Sequence, residues 1–377
     1  DYHRAACLRD LGKHEEAREA LARFRTMRPN DPRAGRAELQ EAAALAREKK
    51  HAEALSILEK LLGAKPEPEA AGPILYEAAW CHRAQGDLAK ARTAYESILA
   101  LEAGADLLET VRLELGELEI EAKDFEKAKK LLEPLASRPG ARREKALYRL
   151  MWTHHLLEEP EQAAACFQSF AQAFPRSELG PELGLLAARA HLALGNAARA
   201  AEAYRTIVEG HPDSSEAEAA LVGLGECLAE ERKFEEAKER HEAFLKRYPQ
   251  SPQAYRSRFG VAWALENLGK PDEAIDHYRA VAKETRTALG ARAQFQAGQC
   301  LVARKDWKNA IVELLQVPAS FSYPEWSSKA LLQVAGCFEA LEDADNARKY
   351  YSEVKDSFAG RDEAQIAEER LKKLEIE

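Results

Sequence analysis

Residues 188–212 read ARAHLALGNAARAAEAYRTIVEGHP. Two helical runs flank Gly195-Asn196. In the second run Ala200, Tyr204 and Ile207 stand at offsets of zero, four and seven, which places them on one face of a helix. Gly195 supplies the positive φ that ends the first helix. Pro212 follows the second, where it no longer breaks a hydrogen-bond ladder. The stretch therefore specifies a helix–turn–helix hairpin.

The pattern recurs along the chain. Ala17, Ala54, Ala91, Ala128, Ala163, Ala200, Ala237, Ala274, Ala310 and Ala347 are separated by 37, 37, 37, 35, 37, 37, 37, 36 and 37 residues. Four residues on stand Leu21, Leu58, Tyr95, Leu132, Phe167, Tyr204, His241, Tyr278, Leu314 and Tyr351, all but His241 large and apolar or aromatic. Twelve residues before each ladder alanine the chain is small, as at Ala42, Gly116, Gly225 and Gly298, with Met151 the exception. Small residues at matching points let the two helices of a hairpin approach closely. Gly12, Gly86, Gly195 and Gly269 mark the turns. Asp31-Pro32 and Ser251-Pro252 read as helix N-caps followed by proline.

These residues resemble the tetratricopeptide repeat family. Leu115-Gly116, Leu224-Gly225, Ala91 with Tyr95, Ala200 with Tyr204, and Pro212 match its pattern across nearly the whole chain. The family's early tryptophan is replaced by Leu75, Arg112, Leu147 or Gly184, and the period exceeds the usual ~34 residues. The links Phe174-Pro175-Arg176-Ser177, His211-Pro212-Asp213-Ser214 and Tyr248-Pro249-Gln250-Ser251 are similar to those of bacterial envelope members of the family, of the outer-membrane assembly lipoprotein and Tol–Pal accessory type. The resemblance implies an all-α, right-handed superhelical solenoid of about ten hairpins over residues 1–358, the first truncated at its N-terminus. It also implies a bacterial scaffold near the cell envelope.

Ala364, Ala367, Leu371 and Leu374 form one apolar stripe among charges, the pattern of a capping helix over 359–377. The chain starts at Asp1 inside a helix, so upstream sequence is expected. A net charge of −9 disfavours nucleic acid as the general partner. No apolar run reaches transmembrane length. Cys7, Cys81, Cys227, Cys300 and Cys337 share one slot, ten residues before the ladder. Cysteine there serves as a small buried residue, and free thiols are expected, because neighbouring helices stand ~8–10 Å apart and a disulfide needs Cα atoms within about 7 Å. Free thiols suit a cytoplasm better than a periplasm, against the envelope resemblance.

Chemistry is sparse. His82, His154 and His191 share a packing slot, and no histidine pair has metal spacing. Glu114, Glu117 and Glu121 read as a solvated acidic face. No phosphate loop, nucleophile elbow, metal set or cofactor motif is present, and no catalytic residue is expected.

In the resembled family the first helices line a concave groove. Slots fifteen and eleven residues before the ladder then hold aromatic pairs facing it: Tyr76/Trp80, Tyr148/Trp152 and Phe259/Trp263, with Phe295 alone in its repeat. Arg83, Lys145, Arg189, Arg256 and Arg292 lie near them. Aromatic and arginine side chains dominate binding energy at interfaces. The expected function is a non-catalytic scaffold that grips a protein or peptide in this groove. Alternatives are the scaffold arm of a larger protein and a single-stranded RNA binder whose rings stack on bases. Trp307 reads as a structural turn aromatic. Phe321, Tyr323 and Trp326 sit in or beside an irregular link from Pro318 to Pro324.

Overall fold

The computed structural model describes residues 1–101 and 103–374. Residue 102 of the expected solenoid and residues 375–377 of the expected cap lie outside the described residues. All regular structure among the described residues is α-helical. The chain divides into two compact units, Asp1–Pro175 and Arg176–Glu377.

The N-terminal unit holds five hairpins: α1 (Tyr2–Asp10) with α2 (His14–Met27), α3 (Ala34–Arg47) with α4 (His51–Gly63), α5 (Pro68–Ala84) with α6 (Leu88–Leu99), α7 (Ala105–Glu121) with α8 (Phe125–Ala136), and α9 (Arg143–Leu156) with α10 (Pro160–Ala173). The C-terminal unit holds five more: α11 (Gly180–Ala193) with α12 (Ala197–Gly210), α13 (Ala217–Glu230) with α14 (Phe234–Arg247), α15 (Ala254–Asn267) with α16 (Pro271–Glu284), α17 (Ala288–Ala303) with α18 (Trp307–Ser320), and α19 (Pro324–Ala340) with α20 (Ala344–Ser357). The last helix, α21 (Asp362–Leu374), packs on α20 and α19 and buries Ala364, Ala367 and Leu374.

Every ladder alanine is the fourth residue of a second helix, at most 1% exposed. The reason for its small partner twelve residues earlier is steric. A Cβ on Gly298 would stand 2.6 Å from the Leu314 side chain, and one on Gly116 would stand 2.9 Å from Leu132. The large residue at offset four thus lies directly over the first helix of its own hairpin. The next hairpin closes on its other side: a Cβ on Gly223 would meet the Tyr204 ring at 2.5 Å, and Gly260 lies against His241. One side chain therefore welds three successive helices.

All ten hairpin turns place a left-handed residue five positions before the ladder. Four are the expected Gly12, Gly86, Gly195 and Gly269. The other six are Lys49, Lys123, Glu158, Arg232, Lys305 and Glu342, each with φ near +60°. The residue after this one often caps the second helix. Asp87, Asp124, Asn196 and Asp343 accept a backbone N–H three residues on at 3.1–3.2 Å.

Two local expectations are corrected. Asp31 and Ser251 do not cap helices, since α3 begins at Ala34 and α15 at Ala254. Their side chains accept the N–H of Arg33 and Gln253, both at 2.9 Å, and so fix the turn that precedes the helix. The irregular link is also shorter than expected: α18 continues through Pro318 to Ser320, leaving only residues 321–323 between helices.

Candidate partner-binding face

Direct contacts between alternate helices run between first helices: α3 with α5, α5 with α7 and α7 with α9 in the N-terminal unit, and α13 with α15, α15 with α17 and α17 with α19 in the C-terminal unit. Within each unit the first helices therefore crowd together on one side, and that side carries the aromatic slots.

In the N-terminal unit Tyr76, Trp80, Tyr148 and Trp152 are all half-buried. Trp80 leans on the preceding hairpin. The His51 ring stands edge-on to it with centroids 5.7 Å apart, and the Arg47 guanidinium stacks 4.3 Å over it. Tyr76 meets Tyr95 at 6.2 Å. Trp152 contacts His155 of its own helix at 5.8 Å.

The cations beside these rings are already engaged. Arg83 pairs with Glu114 at 3.1 Å and with Glu121; Lys145 and Arg149 both reach Glu117, at 3.0 and 2.8 Å. Glu114, Glu117 and Glu121 are thus not a free solvated face but the acidic half of a network between hairpins. Burial pushes the Glu117 carboxyl up, yet hydrogen bonds from Arg149 and Lys145 outweigh it and hold the group below its ordinary value.

In the C-terminal unit Trp263 is half-buried, with Phe234 of the preceding hairpin 6.2 Å away. Phe259 departs from the expected exposed pair. It is only 7% exposed, packed on Tyr278 at 5.4 Å and covered by the Arg292 guanidinium at 5.0 Å. Arg256 pairs with Glu226 at 2.9 Å, Arg189 is exposed, and half-buried Phe295 meets Trp326 at 5.7 Å.

The slots chosen from sequence omitted Arg47, His51, Phe234, Trp326 and Lys329. All but Lys329, which lies over Trp326 of its own helix, reach the aromatic residues from a neighbouring hairpin, so no spacing within one repeat reveals them. Among the described residues no group of His, Cys, Asp and Glu could hold a metal ion. Among the described residues no helix is long and apolar enough to cross a membrane.

Two family models, both described as tetratricopeptide repeat, match the chain. One covers residues 7–67, 185–237, 228–288 and 262–320, the other 74–102, 145–177 and 329–360. The chain is a tetratricopeptide repeat protein. A search of the curated proteins finds no matching sequence. Among solved structures, this tetratricopeptide repeat protein is similar to the C-terminal part of a repeat protein from Cytophaga hutchinsonii, with 15% identity, 74% of this chain and 99% of that one covered, and a TM-score of 0.49. It is also similar to a tetratricopeptide repeat protein from Parabacteroides merdae (16% identity, 67% and 93% covered, TM-score 0.39) and to the pilF protein of Pseudomonas aeruginosa (17%, 60% and 97%, 0.43).

Repeats of this family form protein–protein interaction scaffolds, typically without catalysis. The cysteines of this tetratricopeptide repeat protein are unbridged thiols. Cys7 is exposed and the other five are buried, and burial pushes Cys227 and Cys300 up to about 12. His154 is buried and bonds Glu159 through Nδ1 at 2.7 Å, a packing role.

Proposed function

We propose that the chain is a non-catalytic scaffold that binds a segment of a partner protein along its first helices. Trp80 and Trp152 are the anchors in the N-terminal unit, and Trp263 is the anchor in the C-terminal unit. Tyr76, Tyr148 and Phe295 extend the apolar surface, while Phe259 supports it from beneath. Arg83, Lys145, Arg189, Arg256 and Arg292 set the charge pattern around it.

The observation that carries the reading is the partial exposure of all three tryptophans. Each rests one side on its own or the neighbouring hairpin and leaves part of a large ring in solvent, where burial by a partner adds to binding. The ion pairs around them hold the rims in fixed positions.

The test is affinity capture with immobilised wild-type chain and with a Trp80→Ala/Trp152→Ala/Trp263→Ala variant. The specific partner is expected to be lost from the variant. A partner captured equally by both proteins sinks the proposal.

A further inference from the structure

The large residue four positions after the ladder alanine is an imidazole in one hairpin, that of α13 and α14. His241 is 1% exposed, and the tip of its ring lies between two first helices. A Cβ on Gly225 of α13 would stand 2.6 Å from Nε2, and a Cβ on Gly260 of α15 would collide with the same atom. α13 and α15 also touch each other. The ring therefore fills the seam on which these two helices close.

Neither ring nitrogen has a hydrogen-bond partner. Buried polar groups are ordinarily paired. The same fold pairs another buried histidine: His154 bonds Glu159 through Nδ1 at 2.7 Å. Leucine fills the slot of His241 in the second, fourth and ninth hairpins, at Leu58, Leu132 and Leu314, and leaves no polar atom unsatisfied. Packing alone does not call for an imidazole here.

The surroundings suit the ring only in its neutral form. On α13, Leu221 and Leu228 stand one turn to either side of Gly225, and Glu218, two turns before it, bonds Ser251. On α15, Arg256 and Ser257 stand one turn before Gly260. On α14, Lys238 bonds Glu235 at 2.6 Å. The Glu226 carboxylate, next to Gly225 in the chain, is paired with Arg256 at 2.9 Å. A proton on His241 thus meets the charge of Arg256, and burial first and then that charge lower the pKa to about 4.

The same clasp carries part of the face assigned to the partner. Glu226 follows Gly225, Phe259 precedes Gly260, and Trp263 stands three residues after it. The Trp263 ring leans on Phe234, the first residue of α14. We propose that His241 is an acid-operated latch: neutral, it holds α13, α14 and α15 closed beneath the partner face; protonated, it leaves the seam and loosens the face around Trp263 and the Arg256–Glu226 pair. The open form takes up the proton near pH 6.5 and the closed form only near 4, so acid favours opening. The opening equilibrium is expected to rise about twentyfold from pH 7 to pH 5. The inference rests on the reading of the first helices as the partner face and adds its regulation.

The test is amide hydrogen exchange of the full chain, read by mass spectrometry at pH 7 and pH 5 and corrected for the intrinsic pH dependence of exchange. In the wild type, segments of α13, α14 and α15 are expected to lose about twentyfold in protection, while α17 to α20 change little. His241→Leu is expected to abolish the local loss. If that variant misfolds by circular dichroism, His241→Tyr takes its place, with the residue found in the same slot at Tyr204 and Tyr278. A partner captured at pH 7 is expected to be released at pH 5 by the wild type and retained by the variant.

Unchanged protection of α13 to α15 in the wild type at pH 5, an equal loss along the whole chain, or the same local loss in the variant overturns the proposal. Equal release of the partner from both proteins also overturns it. The scaffold reading falls separately, on a partner whose capture does not depend on the three tryptophans, and that outcome leaves the exchange measurement untouched.

Discussion

Tyr278 donates its hydroxyl to Glu266, twelve residues earlier on the facing helix, at 2.6 Å. Tyr351 repeats the bond with Glu339 at 2.7 Å. In the third hairpin the corresponding position holds Arg83, and the buried Tyr95 hydroxyl has no partner. The same ring in the same slot therefore carries different energies. Tyr278→Phe is expected to cost about 2 kcal/mol, the value of a hydrogen bond to a charged group, while Tyr95→Phe is expected to be neutral or slightly stabilising. Urea unfolding midpoints of the two variants check the contrast.

Six hairpin turns hold a side chain where the backbone is left-handed. A Cβ in that region costs on the order of 1 kcal/mol relative to glycine. Lys123→Gly or Arg232→Gly is expected to stabilise the chain by up to about that amount, less the extra entropy glycine brings to the unfolded state. Gly195→Ala is expected to destabilise it. Thermal melts of the three variants have opposite signs if the turn geometry is right.

His241 is 1% exposed, wedged between Gly225 and Gly260, and neither ring nitrogen has a hydrogen-bond partner. Burial first, and then the charge of Arg256, lower its pKa from 6.5 to about 4. The unfolded chain takes up this proton near pH 6.5 and the folded chain only near 4. The contribution is fully present above pH 6.5 and is lost as pH falls towards 4, a loss of about 3 kcal/mol. A His241→Leu variant is expected to lack this part of the acid sensitivity. Parallel unfolding curves for the two proteins between pH 7 and pH 4 would contradict the assignment.

Gly298 and Leu314 form the tightest kind of seam within a hairpin. Gly298→Ala is expected to cost about 1–3 kcal/mol through overpacking. Leu314→Ala alone is expected to cost more, by cavity formation. The double variant is expected to cost less than the sum, and a double-mutant cycle measures the coupling.

The hairpin ladder was legible because each repeat spends the same slots on its own core: ladder alanine, large residue four on, small residue twelve back. The ion pairs between hairpins were not legible, because they join different repeats. Arg83 meets Glu114 across 31 positions and Arg92 meets Glu119 across 27, offsets set by how one hairpin stacks on the next. Phe259 shows the same limit. It occupies the slot of Tyr76 and Tyr148 yet is sealed, because Arg292 from the following hairpin lies over it. The caps misread at Asp31 and Ser251 have a simpler cause: a side chain that bonds two residues on looks, in sequence, like one that bonds three on.

Among the described residues, the extensive helix–helix contacts within each unit join helices one or two places apart along the chain. These contacts do not depend on a distant segment arriving at the right time or in the right register. A gene segment encoding one ladder step could be copied or lost, and the flanking hairpins would still meet across the same seam of small residue against large. Length in such a molecule is a heritable variable that fold does not constrain, and each added step lengthens the surface offered to another protein.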